Sequence, residues 1–168
     1  MGREIRRVPP NWEHPTEKCI HSPRHGGCAY ARTHGGQCFK PLMQGYAEAK
    51  ARFEKMQAEE GLQKALDYYG EAPSMNDYVS DWPESEATWF QVYETVSEGT
   101  PTTPPFATRE ELVEYLVKHG DFWAQQDGEG GVSRKAAEAF VMRDGWVPSM
   151  VVEDGKITLG IETAARGT

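Results

Sequence analysis

The sequence has few cysteines and no long apolar run. Its three cysteines are too few for a closed disulfide framework, and cysteines that cluster in a reducing compartment are typical of metal ligands. No stretch reaches the roughly 18–20 apolar residues of a membrane span, and no apolar segment follows the arginine-rich start as in a secretory signal. We therefore expect a soluble protein of the cytoplasm that has no membrane partner.

The common signatures of catalysis and nucleotide binding are also absent. The sequence contains no Gly-x-Ser-x-Gly, no phosphate-binding loop, no dinucleotide fingerprint and no His-Glu-x-x-His. Three groups of glutamates are interpreted as solvated faces or helix-start charge rather than as acid–base pairs. They are Glu84 with Glu86, Glu94 with Glu98, and Glu110 with Glu111 and Glu114. The sequence therefore predicts a protein that is not an enzyme.

Charge is distributed unevenly along the chain, whose net charge is −8. Residues 1–40 hold seven Lys or Arg and three Glu, a balance of +4, and the remaining 128 residues hold 11 bases and 23 acids, a balance of −12. An acidic surface repels nucleic acid and favours basic partners. We therefore divide the chain into a basic N-terminal segment, residues 1–42, and an acidic α+β body, residues 43–168.

The spacing of apolar residues predicts an α+β fold with a small, mainly antiparallel sheet and two or three helices. Residues 3–8 are predicted to form a first strand. Helical spacing runs through residues 46–69, with Gly61 as the point where the helix bends or splits. Residues 88–96 are typical of a central strand, because aromatic side chains fall on both of its faces.

Capping and turn residues define the second half of the chain. Thr108 and Glu111 form a Thr-x-x-Glu capping box before a second helix, and Ser133 is expected to cap a further helix. Asp154–Gly155, with apolar residues on both sides, is typical of a β-hairpin. The last eight or so residues are predicted to fray. The predicted order is strand, zinc-stapled loop, helix, strand, two helices and hairpin.

The cysteines share one segment with several histidines, in the pattern Cys-x8-Cys-x5-His-x3-Cys. The candidate ligands are Cys19, Cys28, His34 and Cys38. Four thiolate and imidazole ligands suit tetrahedral zinc, and a fully ligated site is structural, since a catalytic zinc keeps an open position. Residues 19–38 hold almost no aliphatic side chains, so a bound ion would supply the folding energy that the segment cannot.

His21 and His25 compete with His34 for the fourth ligand position. We rank His34 first, because Cys19 and His21 are too close in sequence to share one ion in most structural sites. The alternatives to zinc are a loop with three thiols and no metal, and a transient disulfide.

The spacing resembles the Cys-x8-Cys-x5-Cys-x3-His zinc finger of the tristetraprolin-type RNA-binding proteins, with the last two ligand types exchanged. Aromatic residues follow the second and the last ligand, at Tyr30 and Phe39, as in fingers that stack on bases. The resemblance implies zinc and, as an alternative function, binding of single-stranded nucleic acid. We prefer a purely structural zinc, because the rest of the chain is acidic.

Two other stretches, REIRRVPPNWEHP and WFQVYETVSEGTPTTPPFATREELVEYL, resemble a group of uncharacterised small proteins of tailed bacteriophages and prophages. No activity and no functional residue carries over from that group. The resemblance implies a setting, the cytoplasm of a bacterial host during phage growth, where small acidic proteins often bind host or phage proteins. We therefore predict a non-catalytic accessory protein that carries a structural zinc and binds a host or phage protein during host takeover.

Overall fold

A computed structural model of the chain describes residues 2–19, 36–95, 99–120, 130–143, 146–153 and 155–167. The chain divides into two units, one of Met1–Lys40 with Trp82–Thr168 and the other of Pro41–Asp81. These units are defined by contacts between residues, whereas the division predicted from the sequence, into residues 1–42 and 43–168, is defined by charge. That division stays a prediction. The predicted zinc-stapled loop lies mostly in residues 20–35, outside the described residues.

Seven strands and five α-helices are found within the described residues, which makes the fold α+β as predicted. The strands are β1 (Gly2–Val8), β2 (Thr16–Lys18), β3 (Gln37–Phe39), β4 (Trp89–Thr95), β5 (Val147–Pro148), β6 (Met150–Glu153) and β7 (Lys156–Leu159). The helices are α1 (Tyr46–Glu60), α2 (Leu62–Tyr69), α3 (Arg109–His119), α4 (Arg134–Met142) and α5 (Gly160–Thr163), with 3₁₀ turns at Met75–Asp77 and Ala164–Gly167. The predicted count of two or three helices was too low.

The main sheet of the larger unit is antiparallel, with β1 between β4 and β5. β1 pairs with the whole of β4, from Gly2 opposite Thr95 to Val8 opposite Trp89. On the other edge of β4, the backbone groups of Phe90 and Phe106 exchange two hydrogen bonds of 2.8 Å. The strand predicted at residues 88–96 is present as β4, but it lies at the edge of the sheet and not at its centre, with its outer edge covered by isolated bridges to Pro101 and Phe106.

The aliphatic core lies between one face of this sheet and the helices of the larger unit. Side chains alternate between the two faces of a strand, so Val92 points to the helices while Tyr93 points away from them. The buried core residues are Val92, Leu112, Val113, Leu116, Val132, Ala137, Phe140, Val141, Val147 and Ile161. The predicted capping box starts α3, because the Thr108 hydroxyl accepts from the Glu111 N–H at 3.1 Å and the Glu111 carboxylate accepts from the Thr108 N–H at 3.2 Å.

The last eight or so residues were predicted to fray, and residues 161–167, the part of them that the structure describes, lie in α5 and a 3₁₀ turn. Ile161 is buried in the core, which holds this end of the chain in place. Gly160 allows the close approach, since a Cβ atom there would lie 1.4 Å from the carbonyl oxygen of Pro148. Ser133 precedes α4 as predicted, although its hydroxyl donates to the Glu162 carboxylate at 2.8 Å instead of capping the helix.

Glu94 was predicted to be solvated, but it is buried in an ion pair. Its carboxylate lies 3.1 Å from the Arg3 guanidinium, and both side chains are about 3% exposed. The same guanidinium nitrogen donates to the Ser149 hydroxyl at 2.9 Å. A charge this deep in a protein needs such partners, because desolvation without them costs several kcal/mol.

The smaller unit contains α1 and α2, the two parts of the single helical pattern predicted at residues 46–69. Gly61 separates them with a φ of 92°, a conformation that favours glycine, and its N–H donates to the carbonyl of Gln57. Gly70 follows the end of α2, and its N–H donates to the carbonyl of Leu66. Phe53 of α1 and Ala65 of α2 are the buried residues of the helix pair.

The C-terminal hairpin predicted around Asp154–Gly155 is confirmed as an antiparallel pair of β6 and β7. Met150 lies opposite Leu159, and Val152 lies opposite Ile157. None of the helices in the described ranges is long and apolar enough to cross a bilayer.

Candidate metal centre and its anchor

Two of the predicted metal ligands belong to the two-stranded ribbon formed by β2 and β3: Cys38 lies in β3, and Cys19 directly follows the last residue of β2. Glu17 lies opposite Cys38, and the N–H of Cys19 donates to the carbonyl of Gly36 at 2.9 Å. Directly opposite residues of an antiparallel pair share a face, and so do residues two apart on one strand. Cys19 and Cys38 are therefore diagonal neighbours on one face of the ribbon, a relation that places Cβ atoms about 7–8 Å apart or somewhat less.

The remaining predicted site residues lie outside the described part of the chain. They are the ligands Cys28 and His34, their competitors His21 and His25, and the stacking residue Tyr30. Within the described ranges, no group of three His, Cys, Asp or Glu side chains could hold a metal ion. Two thiolates are half of a tetrahedral ligand set, so a zinc site built on them would require further ligands, which the sequence predicts within residues 20–35.

Phe39, the second predicted stacking residue, lies where the ribbon meets the rest of the larger unit. Its side chain is half-buried, and its ring is edge-on to the imidazole of His14 with centroids 5.4 Å apart. A role of Phe39 in stacking on bases stays a prediction.

His14 connects the ribbon to the main sheet through hydrogen bonds at both of its ring nitrogens. Its Nε2 lies 2.7 Å from the carbonyl oxygen of Lys40, just after β3, and its Nδ1 lies 3.1 Å from the hydroxyl of Tyr93 on β4. A carbonyl oxygen only accepts, so Nε2 carries the proton. In the neutral ring Nδ1 then accepts from the Tyr93 hydroxyl. That hydroxyl in turn accepts from the indole Nε1–H of Trp12 at 3.1 Å.

Burial keeps both titratable groups of this network uncharged at neutral pH. Burial lowers the pKa of His14 from its ordinary value of 6.5, the hydrogen bond to the Lys40 carbonyl opposes that shift, and the charge of Arg6 adds to it. Burial also raises the pKa of Tyr93 to about 12. The guanidinium of Arg6 lies over the Tyr93 ring, 4.4 Å from its centroid. A neutral imidazole and a protonated phenol are the states that the hydrogen bonds require.

The sequence analysis assigned no role to His14, which lies between β1 and β2. No periodicity marks a single buried residue in a loop, and its two partners follow 26 and 79 positions later in the chain. The only local signal is the neighbouring Trp12, whose ring is perpendicular to that of His14 with centroids 6.4 Å apart. That signal indicates burial but does not identify the bonded partners.

No protein-family model, no curated protein and no solved structure matches this chain. The resemblances to a tristetraprolin-type finger and to phage proteins therefore stay predictions. A function has to be argued from the residues themselves.

Proposed function

We propose that this chain is a non-catalytic accessory protein of phage type that binds a host or phage protein and carries a structural zinc. The ligands of the proposed site are Cys19, Cys28, His34 and Cys38. The observation that supports it is the register of the β2–β3 ribbon, which presents two of the four ligands as diagonal neighbours on one face. Such a ligand set contributes folding energy and leaves no open position for catalysis.

In this proposal the ribbon connects the main sheet with the zinc segment. At one end, His14 and Tyr93 fix the ribbon to the main sheet. Cys19, just after β2, and Cys38, in the middle of β3, would tie residues 20–35 to the ribbon through the metal. A segment held at a fixed place loses less conformational entropy when a partner binds, which favours display of that segment to another protein.

The proposed partner is a protein with a basic surface. Residues 41–168 carry a balance of −12, and an acidic surface steers basic partners towards it while it repels nucleic acid. The bacterial setting comes from the resemblance to phage proteins alone. A pull-down from bacterial lysate that returns no partner, at low and at moderate salt alike, would count against this part of the proposal.

Metal analysis of the purified full chain tests the zinc site directly. We expect about one zinc per chain, and its loss in Cys19→Ser, Cys38→Ser and His34→Ala, because each removes one of four ligands. The matched controls are His21→Ala and His25→Ala, which should keep the metal. Purified wild-type protein without zinc, even after refolding in its presence, contradicts the proposal. If His21→Ala or His25→Ala loses zinc and His34→Ala keeps it, the fourth ligand is that histidine and not His34.

A second candidate function is binding of single-stranded nucleic acid through the zinc segment. The observation in its favour is the balance of +4 in residues 1–40, together with Tyr30 and Phe39 as stacking residues. A gel-shift experiment with short RNA and DNA pools tests it. Binding that is lost in Cys28→Ser but kept in a variant such as Glu138→Gln would favour this function over the first.

A further inference from the structure

An open groove of about 640 Å³ runs beside α3 in the larger unit. Residues four apart in a helix line up along its surface, so α3 presents two parallel rows to the groove. One row is Glu110, Glu114 and Lys118, and the other is Glu111, Tyr115 and His119. The facing wall is formed by Trp89 and residues 105–107.

The floor of the groove is aromatic. The rings of Phe106 and Tyr115 have centroids 5.1 Å apart, and those of Tyr115 and His119 have centroids 4.9 Å apart. The side chains of Trp89, Phe106 and Tyr115 are half-buried, so each is only partly covered by the rest of the protein. The face of an aromatic ring carries partial negative charge and attracts cations within about 6 Å of its centroid.

The rim of the groove is acidic at the N-terminal end of α3. Glu110 and Glu111 are exposed in the first turn of the helix, and Glu114 follows one turn later. Both oxygens of Glu114 accept from one guanidinium nitrogen of Arg134, at 2.8 and 2.9 Å, which offsets the charge of this carboxylate. One oxygen of Glu111 accepts from the Thr108 N–H in the capping box, so Glu110 is the carboxylate best placed to receive a cation from outside, with the other oxygen of Glu111 beside it. Lys118 lies at the other end of the same row, so the groove is acidic at one end and carries a basic side chain at the other.

We propose that this groove receives an arginine side chain from a basic segment of a partner protein. Arginine fits both features, since its planar guanidinium stacks on aromatic rings and pairs with carboxylates through two parallel hydrogen bonds. The charge complementarity extends to the whole chain, whose net charge is −8. The inference rests on the proposed protein-binding function and specifies the chemistry of the partner.

The test is a titration of the isotope-labelled full chain as purified, followed by NMR of the backbone amides. The probe is the blocked peptide Gly-Arg-Gly-Arg-Gly, and its counterpart has Gln in place of both Arg. We expect saturable shifts confined to residues 89 and 105–119, with the arginine peptide binding about fivefold or more tighter than the glutamine peptide. Equal binding of the two peptides, or shifts that map elsewhere, would overturn the proposal.

A pair of charge variants separates the groove from general electrostatic attraction. Glu110→Gln with Glu111→Gln removes both rim carboxylates and keeps a residue that can complete the capping box. The control is Glu54→Gln with Glu59→Gln, which removes the same charge from exposed positions of α1. We expect about threefold to tenfold weaker binding of the arginine peptide in the rim variant and none of this loss in the control. Equal weakening in both variants rejects a defined site.

Two further ligands test whether the groove serves another class of partner. A neutral oligosaccharide and a short single-stranded oligonucleotide are titrated in the same way as the peptides. If either of them shifts the amides of residues 105–119 more strongly than the arginine peptide does, the proposed partner chemistry is wrong.

The groove and the zinc site can fail independently. Zinc content and recovery of a lysate partner are measured on the same protein samples. If zinc and partner are found but the arginine peptide does not bind, the groove proposal is wrong and the proposed function stands. If the peptide binds as expected but no zinc and no partner are found, the groove stands and the proposed function fails.

Discussion

The two faces of β4 are buried in different ways. On one face Val92 joins the aliphatic core beneath α3 and α4. On the other face Tyr93 lies among Trp12, His14 and Arg6, held by hydrogen bonds and a cation–π contact. Apolar burial is non-directional and scales with area, whereas a buried polar network depends on each of its members. Substitutions that remove side-chain volume should therefore destabilise the protein most on the first face. On the second face, removal of a single hydrogen-bonding group should destabilise it even when the volume is kept.

The largest expected effect is on the aliphatic face. Leu112→Ala removes a side chain that is 0% exposed, and it should lower the free energy of unfolding by about 2–5 kcal/mol through lost burial and the cavity left behind. Urea denaturation measures the change. Tyr68→Ala is the control, since Tyr68 is 72% exposed and a surface substitution usually changes stability by less than about 0.5 kcal/mol. Similar losses in both variants would contradict the assignment of the core.

A smaller loss of stability is expected when a hydroxyl group is removed from the opposite face and the ring is kept. Tyr93→Phe keeps the ring but deletes the hydroxyl, which leaves the Trp12 N–H and the His14 Nδ1 buried without their partner. We expect a loss of about 1–3 kcal/mol, the usual cost of an unsatisfied buried polar group. The same denaturation experiment applies, with Tyr68→Phe as the matched control. If Tyr93→Phe is neutral, the network contributes no directional stabilisation.

The smallest expected effect is on the pH dependence of stability. It separates the two faces because the described core residues of the aliphatic face do not titrate in the range of histidine. The pKa of His14 is lowered from 6.5 by burial, so between the two values the unfolded chain binds more protons than the folded one. The stabilisation is fully present above pH 6.5 and is lost as the pH falls through this interval. Protonation would also turn Nδ1 into a donor facing the Tyr93 hydroxyl.

The measurement is the free energy of unfolding as a function of pH in wild type, His14→Gln and His119→Gln. The part of the pH dependence that belongs to His14 should disappear in His14→Gln. It should persist in His119→Gln, because His119 is exposed at the end of α3. The interpretation of the network fails if the curves of His14→Gln and wild type run parallel.

The elements that could be predicted are those with local signals. The capping box of Thr108 and Glu111, the glycine at position 61 and the apolar pattern of β4 all specify structure within a few residues. The pairing of β2 with β3 could not be predicted, because each strand has three residues and many positions separate them. Glu94 was misjudged for the same reason, since its partner Arg3 lies 91 positions away.

The zinc site stays a prediction, and its surroundings show where reasoning from the sequence ends. Clustering of cysteines and histidines is visible in a sequence, so Cys19 and Cys38 could be named among four candidate ligands, and the register of the ribbon puts these two on one face. Their connection to the sheet through His14 depends on Lys40 and Tyr93, which no spacing rule relates to each other. Sequence reasoning therefore found candidate ligands and missed what holds them to the protein.

The buried ion pair of Arg3 and Glu94 also favours one alignment of the sheet. If β1 slipped by one residue along β4, every side chain would change face, and Arg3 would leave its carboxylate while Ile5 would leave the core. An apolar pair at these positions would tolerate several alignments, whereas two charges tolerate only the one in which they meet. Every other register would separate the two charges, so the cost of an unpaired buried charge adds to the cost of a misaligned sheet.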